Sequence, residues 1–97
     1  MQTYELMVVL NSSDEWKDEK KQKSLLANLF EDQKHTIDRV EYLGKKPLAY
    51  PIAKQTEGVY LLAQLSSEAL IVGQLQKRTK LNENVLRYLL TVKENVS

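Results

Sequence analysis

The 97-residue chain has no cysteine and one histidine, His35. Without cysteine there is no disulfide scaffold, thiol nucleophile or thiolate-ligated metal, and the redox compartment stays open. With one histidine, neither a His-based triad nor a multi-histidine metal site is expected. Glycine and proline are scarce, at three and two residues. Gly44, Gly58 and Gly73 stand far apart, so no glycine-rich phosphate cradle forms, and the Gly-x-x-x-x-Gly-Lys-Ser/Thr spacing is absent. An excess of one charge is also missing. Fourteen Lys and Arg against 13 Asp and Glu give +1, less basic than a free-standing nucleic-acid binder. No run approaches the roughly 18 apolar residues of a membrane helix. Met1-Gln2-Thr3-Tyr4-Glu5 has no basic segment before its apolar run, so no cleaved signal is expected. What is present is ordinary for a folded domain: 42% hydrophobic and 28% charged residues. One domain over residues 1–97 is expected, with residues 94–97 frayed.

Thr3–Leu10 reads as a strand closed by the turn cluster Asn11-Ser12-Ser13-Asp14. Both of its faces are largely apolar, Leu6, Val8 and Leu10 on one and Met7 and Val9 on the other, which marks a central strand. Ser12 and Glu15 have capping-box spacing, with Ser13 as an alternative cap. A helix is expected from there to about His35, with Leu25, Leu26, Leu29 and Phe30 inward and Lys20, Lys21 and Lys23 on a solvated face. Thr36–Leu43 is a second strand with a bulge near Asp38-Arg39. Gly44-Lys45-Lys46-Pro47 is expected to interrupt it. Leu48–Ala53 then runs extended between two prolines, which belongs at a sheet edge. Lys54–Gly58 reads as a loop and Val59–Leu65 as a third strand. Ser66-Ser67-Glu68 reads as the start of a second helix, with Ile71, Val72, Leu75 and Thr79 inward and Lys77, Arg78 and Lys80 in its last turn. Asn82-Glu83-Asn84 is a turn, and Val85–Lys93 a fourth strand.

The order strand, helix, strand, strand, helix, strand with right-handed crossovers gives an α+β fold. It is the ferredoxin-like split βαββαβ plait, a four-stranded antiparallel sheet with two helices on one face. The first and third strands are central. The uncovered face then carries Met7, Val9, Tyr60, Leu62 and Leu89, an apolar patch of the kind that marks a binding surface.

The stretch Leu43-Gly44-Lys45-Lys46-Pro47-Leu48-Ala49-Tyr50-Pro51-Ile52-Ala53-Lys54 resembles the Leu-Gly-x-[Lys/Arg]-x-Leu-Ala-Tyr-Pro-Ile-x-Lys motif of the bacterial small-subunit ribosomal protein six family. Tyr4-Glu5 with Val8-Val9-Leu10-Asn11 is similar to that family's first strand, and Leu81–Tyr88 to its approach to the fourth. The resemblance implies a non-enzymatic structural protein, cytoplasmic within the small ribosomal subunit. It implies binding to the central domain of the small-subunit ribosomal RNA as a heterodimer with small-subunit ribosomal protein eighteen. No cofactor, metal, membrane or small-molecule substrate is implied, and the isolated chain is expected to be monomeric.

Structured RNA is held by phosphate and 2′-hydroxyl contacts and by stacking on aromatic or arginine planes. Arg87 is the leading candidate because its planar fork can pair a phosphate bidentately. Lys93 shares its strand face, Tyr4 offers a ring, and Lys45 and Lys46 flank the motif. Leu48, Tyr50, Pro51, Ile52 and Lys54 are assigned to the protein partner, with Tyr60 and Leu62 of the open face. Three other readings compete. Acylphosphatase-type chemistry needs an arginine in a phosphate-cradling loop and a catalytic asparagine, and no such loop is present. A ligand-binding or regulatory plait would dimerise through its open sheet. An RNA recognition module would carry aromatics on both central strands, where this chain offers only Tyr60 beside Met7, Val9 and Leu62.

Overall fold

The structure, a computed structural model, describes residues 2–31, 33–52, 54–68 and 70–93. Alternating apolar and β-branched residues form β1 (Gln2–Leu10), β2 (Thr36–Ile52), β3 (Gln55–Ser67) and β4 (Val85–Lys93). The helices are α1 (Glu19–Leu29) and α2 (Val72–Leu81). The strands form one antiparallel sheet in the order β2-β3-β1-β4. The strand with two apolar faces, β1, is central with β3, and the proline-bearing β2 is an edge, both as the sequence requires. The expected fraying of residues 94–97 lies outside the described residues.

Register assigns the faces. Val8 pairs with Leu61 and Tyr88, and Leu6 with Ala63 and Leu90. These side chains meet Leu25, Leu26, Leu29 and Phe30 of the α1 region and Leu75 of α2 in one core. Leu6, Val8, Leu26, Leu29, Leu61, Leu65 and Leu75 are fully buried. Burying each such side chain contributes about 1.5–3 kcal/mol. Among the described residues, no helix covers the opposite face.

The first helix is shorter than the sequence suggests, and broken. Asp14–Lys17 is a single 3-10 turn capped by Ser13, whose hydroxyl accepts from the Glu15 amide at 3.3 Å. Ser12 instead turns towards Gln55. Asp18 then caps α1, accepting from the Lys20 amide at 2.9 Å. The break turns Trp16 inward to 3% exposure. Its indole N–H donates to Asn11 Oδ1 at 2.8 Å, and Gln22 Nε2 donates to its carbonyl. Asn11 also bonds Asn84 through both backbone and side chain, at 3.0 and 2.8 Å. The helix ends at Leu29 rather than near His35, because Phe30 leaves helical geometry to fill the core.

Gly44-Lys45-Lys46-Pro47 does not interrupt β2. Gly44 at φ +96° forms a bulge within a continuous strand, a conformation that a Cβ would strain. The prolines are tolerated because an edge strand leaves one side unpaired. The expected bulge near Asp38-Arg39 is there, between Ile37 and Arg39. The expected loop Lys54–Gly58 is mostly strand, β3 starting at Gln55.

Ser66 and Ser67 do not start α2. They end β3, opposite Thr3 and Gln2. The helix begins at Val72 without a side-chain cap from its own N-terminus. Gln33 serves there: its Oε1 accepts from the Ile71 amide at 2.6 Å, and its Nε2 donates to the Ile71 carbonyl at 3.3 Å. Ile71 and Val72, expected inward, are more than half exposed, because the helix starts too late to turn them onto the sheet; Leu75 and Thr79 are buried.

Candidate functional site

The helix-free face is built from odd-numbered positions of β1 and β4 and even-numbered positions of β3. Met7 pairs with Leu62 and Leu89, and Val9 with Tyr60 and Arg87. Met7, Tyr60 and Leu62 are half-buried, and Leu89 is 66% exposed. Val9 departs from the expected open patch, at 5% exposure. The distal part of β2 accounts for this. Val9 Cγ1 and Leu48 Cδ2 both converge on the space where a Gly58 Cβ would sit, at 2.6 and 3.4 Å from it. Glycine at 58 lets the hairpin close against β1.

The same hairpin reaches β4. Arg87 Nη1 donates to the Tyr50 hydroxyl at 2.9 Å, and the guanidinium carbon lies 5.7 Å from the Tyr50 ring centroid. Both residues are exposed. Lys46 Nζ stands 5.7 Å from the Tyr60 ring centroid on the same face. Two cations are thus held over two tyrosines at the Leu10 end of the open sheet. Neither has a carboxylate partner among the described residues. Cation–π contacts at exposed sites contribute about 0.5–1 kcal/mol, enough to orient the groups while leaving donors free.

The other basic candidates sit elsewhere. Lys45 is on the helix side, because the Gly44 bulge sets it opposite Val59. It forms a 2.7 Å ion pair with Asp14 of the 3-10 turn. Their mutual hydrogen bond, reinforced by attraction, holds the Asp14 carboxyl below its ordinary range and the Lys45 ammonium above its own. Lys93 is on the open face but at the far end, 3.0 Å from Glu5. There Glu5, Arg39, Glu41, Leu62, Gln64 and Lys93 line a shallow depression of about 160 Å³. Tyr4 lies in the core at 5% exposure with its hydroxyl on Gln2 Oε1. A stacking role for its ring does not fit that burial. β1 turns position 4 towards the helices, as it does Leu6 and Val8.

Of the partner candidates, Tyr50 and Pro51 are exposed, Leu48, Ile52, Tyr60 and Leu62 are half-buried, and Lys54 is exposed at φ 66°. Sequence reading missed Asp14 and Glu5 as partners of Lys45 and Lys93. Glu5 was legible, since odd positions of β1 and β4 share a face. Asp14 was not, because its partner reaches it only through a bulge.

The α+β plait thus presents cations and tyrosines together on its helix-free sheet face, an arrangement suited to a binding surface. The family model described as "Ribosomal protein S6" matches residues 3–93. Small ribosomal subunit protein bS6 of Corynebacterium urealyticum is 33% identical over 87 residues, covering 90% of this chain and 92% of the relative. Its counterpart in Rhodococcus jostii is 36% identical with the same coverages. That of Saccharopolyspora erythraea is 36% identical, over 90% of this chain and 74% of the relative. The crystal structure of 30S ribosomal protein S6 from Thermotoga maritima superposes with a TM-score of 0.75 at 22% identity, covering 95% of this chain and 87% of that one. The C-terminal domain of the MgtC protein from Mycobacterium tuberculosis shares the fold, with a TM-score of 0.59 at 14% identity and coverages of 100% and 93%. The chain belongs to the ribosomal protein S6 family, structural and non-enzymatic proteins of the small ribosomal subunit.

Proposed function

We propose that the chain binds the central domain of the small-subunit ribosomal RNA together with small-subunit ribosomal protein eighteen. Arg87 carries this reading. It is exposed on the helix-free face, oriented by Tyr50 and free of a carboxylate partner among the described residues. A guanidinium has five N–H donors, so the bond to Tyr50 leaves others for a phosphate. Lys46 supplies a second cation over Tyr60. Lys45 and Lys93, each neutralised by a carboxylate, contribute less.

The protein partner is assigned to the distal hairpin, with Tyr50 as anchor, Leu48, Pro51 and Ile52 around it and Lys54 at its rim. Tyr60 and Leu62 continue the apolar surface. Pro47 and Pro51 already restrict this segment, so docking costs it little conformational entropy. Because Tyr50 touches Arg87, the protein-binding and RNA-binding surfaces adjoin. Residues 1–40 carry six basic and eight acidic side chains, and residues 41–97 eight and five. So small a basic excess supports weak RNA affinity alone and stronger affinity once a partner adds positive charge. Titrating labelled central-domain RNA with the chain, then with protein eighteen added, tests this. Tighter binding with the partner is expected, and equal affinity in both titrations sinks the proposal.

A further inference from the structure

Towards the Lys93 end of the open face, one row of paired residues crosses the sheet as Arg39, Gln64, Glu5 and Thr91. Its charged members are already matched. Lys93 reaches Glu5 at 3.0 Å, and Arg39 reaches Glu41 at 3.9 Å. The half-buried side-chain amide of Gln64 is not matched, and among the described residues it makes no hydrogen bond. It lines the depression of about 160 Å³ that these four charged residues surround, with Leu62 as the apolar part of the lining. One donor and one acceptor thus stand side by side, unused, between two neutralised charge pairs.

We propose that this depression takes one unpaired RNA base, with Gln64 reading an edge where an amino group lies beside an acceptor nitrogen, as in adenine and cytosine. The inference rests on the RNA-binding reading of this face and extends it from phosphate to base. Charge specifies a neutral occupant. Two carboxylates and two cations cancel, and each cation is already held, so an anion gains little there. Size specifies a single ring system, since sites for larger ligands run to roughly 300–1,000 Å³. Hydrogen bonding specifies the edge. Gln64 Oε1 accepts from the amino group while Nε2 donates to the ring nitrogen, a bidentate pairing. Guanine and uracil present a carbonyl oxygen in place of that amino group, facing Oε1 and the Glu5 and Glu41 carboxylates. A peptide strand is disfavoured because β3 is central and its backbone groups are spent in ladders on both sides. Tyr60 and Gln64 lie on one face of β3, about 13 Å apart. An RNA strand held at Lys46 and Arg87 can therefore lay a base at Gln64.

The test titrates the full chain with neutral nucleosides and follows the Gln64 side-chain amide and the Leu62 methyls by NMR. Nucleosides carry no phosphate, which isolates this site from Arg87 and Lys46. Adenosine and cytidine are expected to move both sets of signals. Inosine and uridine, which replace the amino group by a carbonyl, are expected to bind about tenfold more weakly or worse. Gln64→Met keeps the length of the side chain but neither its donor nor its acceptor. It is expected to abolish the preference and leave the far-ultraviolet circular dichroism unchanged. The proposal is overturned by unmoved Gln64 signals, by equal affinity for all four nucleosides, or by a Gln64→Met variant that keeps the preference. N-acetylasparagine amide moving the Gln64 signals as strongly as adenosine overturns it in favour of a protein side chain. None of these readouts involves central-domain RNA or protein eighteen, so failure here is distinguishable from failure of the wider RNA-binding reading.

Discussion

Val8 and Val9 are neighbours of one residue type, and both are buried, on opposite faces and for different reasons. Val8 faces the helices and meets Leu61 and Tyr88 within the core. Val9 faces the side without helices and is covered by the Leu48 end of the distal hairpin at Gly58. Leu90 and Leu89 differ likewise, one packed against the core and the other standing in solvent. Burial on the covered face is set by two helices and is continuous. On the open face it is set by one hairpin and is local, which leaves the rest of that face free for binding.

The largest effect is expected where the covered face is cut. Leu26→Ala or Leu75→Ala removes a fully buried side chain and should cost about 2–5 kcal/mol. Leu89→Ala on the open face should stay within about 0.5 kcal/mol. Urea unfolding of the three variants measures both. Near-neutral results at Leu26 and Leu75 would erase the distinction.

Gly58→Ala attacks the local cover. Its Cβ would meet Val9 Cγ1 at 2.6 Å and the Leu10 carbonyl at 3.2 Å, and neither can swing far away. About 1–3 kcal/mol is expected from the same unfolding curves. Gly73→Ala in α2 meets nothing within 4 Å and should stabilise by up to about 1 kcal/mol.

On binding, Arg87→Ala should lower RNA affinity and reduce the salt slope by roughly one unit. Tyr50→Ala should weaken the pairing with protein eighteen by about 2 kcal/mol, as for an anchor residue. Because the two side chains touch, the double variant should lose less than the sum of the singles. Calorimetry on the protein pair and salt-dependent RNA titration read these effects, and strict additivity would mean that the contact does not couple them.

The smallest effect is electrostatic. The Asp14–Lys45 pair contributes fully above the ordinary carboxylate range and fades as pH falls through the lowered Asp14 pKa. On the alkaline side its contribution is present below the ordinary lysine value and fades as pH rises through the raised Lys45 pKa. Asp14→Asn should flatten both limbs of a stability-against-pH curve. Lys93→Gln, on the open face, should leave this acid limb unchanged.

Strand faces were legible because period two survives wherever register is regular, as in β1 and β4. In β2 it does not survive. Val40 and Tyr42 pair with Ala63 and Leu61 on the core side. The Gly44 bulge then inverts the parity, putting Lys45 on the helix side and Lys46 on the open one. Nothing in Gly-Lys-Lys-Pro states which lysine goes where. Helix limits were misread for a related reason. Serines resemble caps wherever they occur, but Ser66 and Ser67 are held in β3 by pairing with residues far away in sequence. Likewise the contact between Tyr50 and Arg87 spans 37 positions and depends on how the hairpin bends, which composition does not encode.

Trp16 is the chain's one tryptophan, and its indole is buried against Asn11, the residue that fastens the end of β1 to Asn84 before β4. Its fluorescence is therefore a built-in reporter of that junction. With the junction closed, the indole is shielded from water and emits towards the blue. Loosening the Asn11–Asn84 fastening should shift emission to the red before the sheet separates. An Asn84→Ala variant should show that shift while keeping its far-ultraviolet circular dichroism, so that one optical channel follows the seam and the other the sheet.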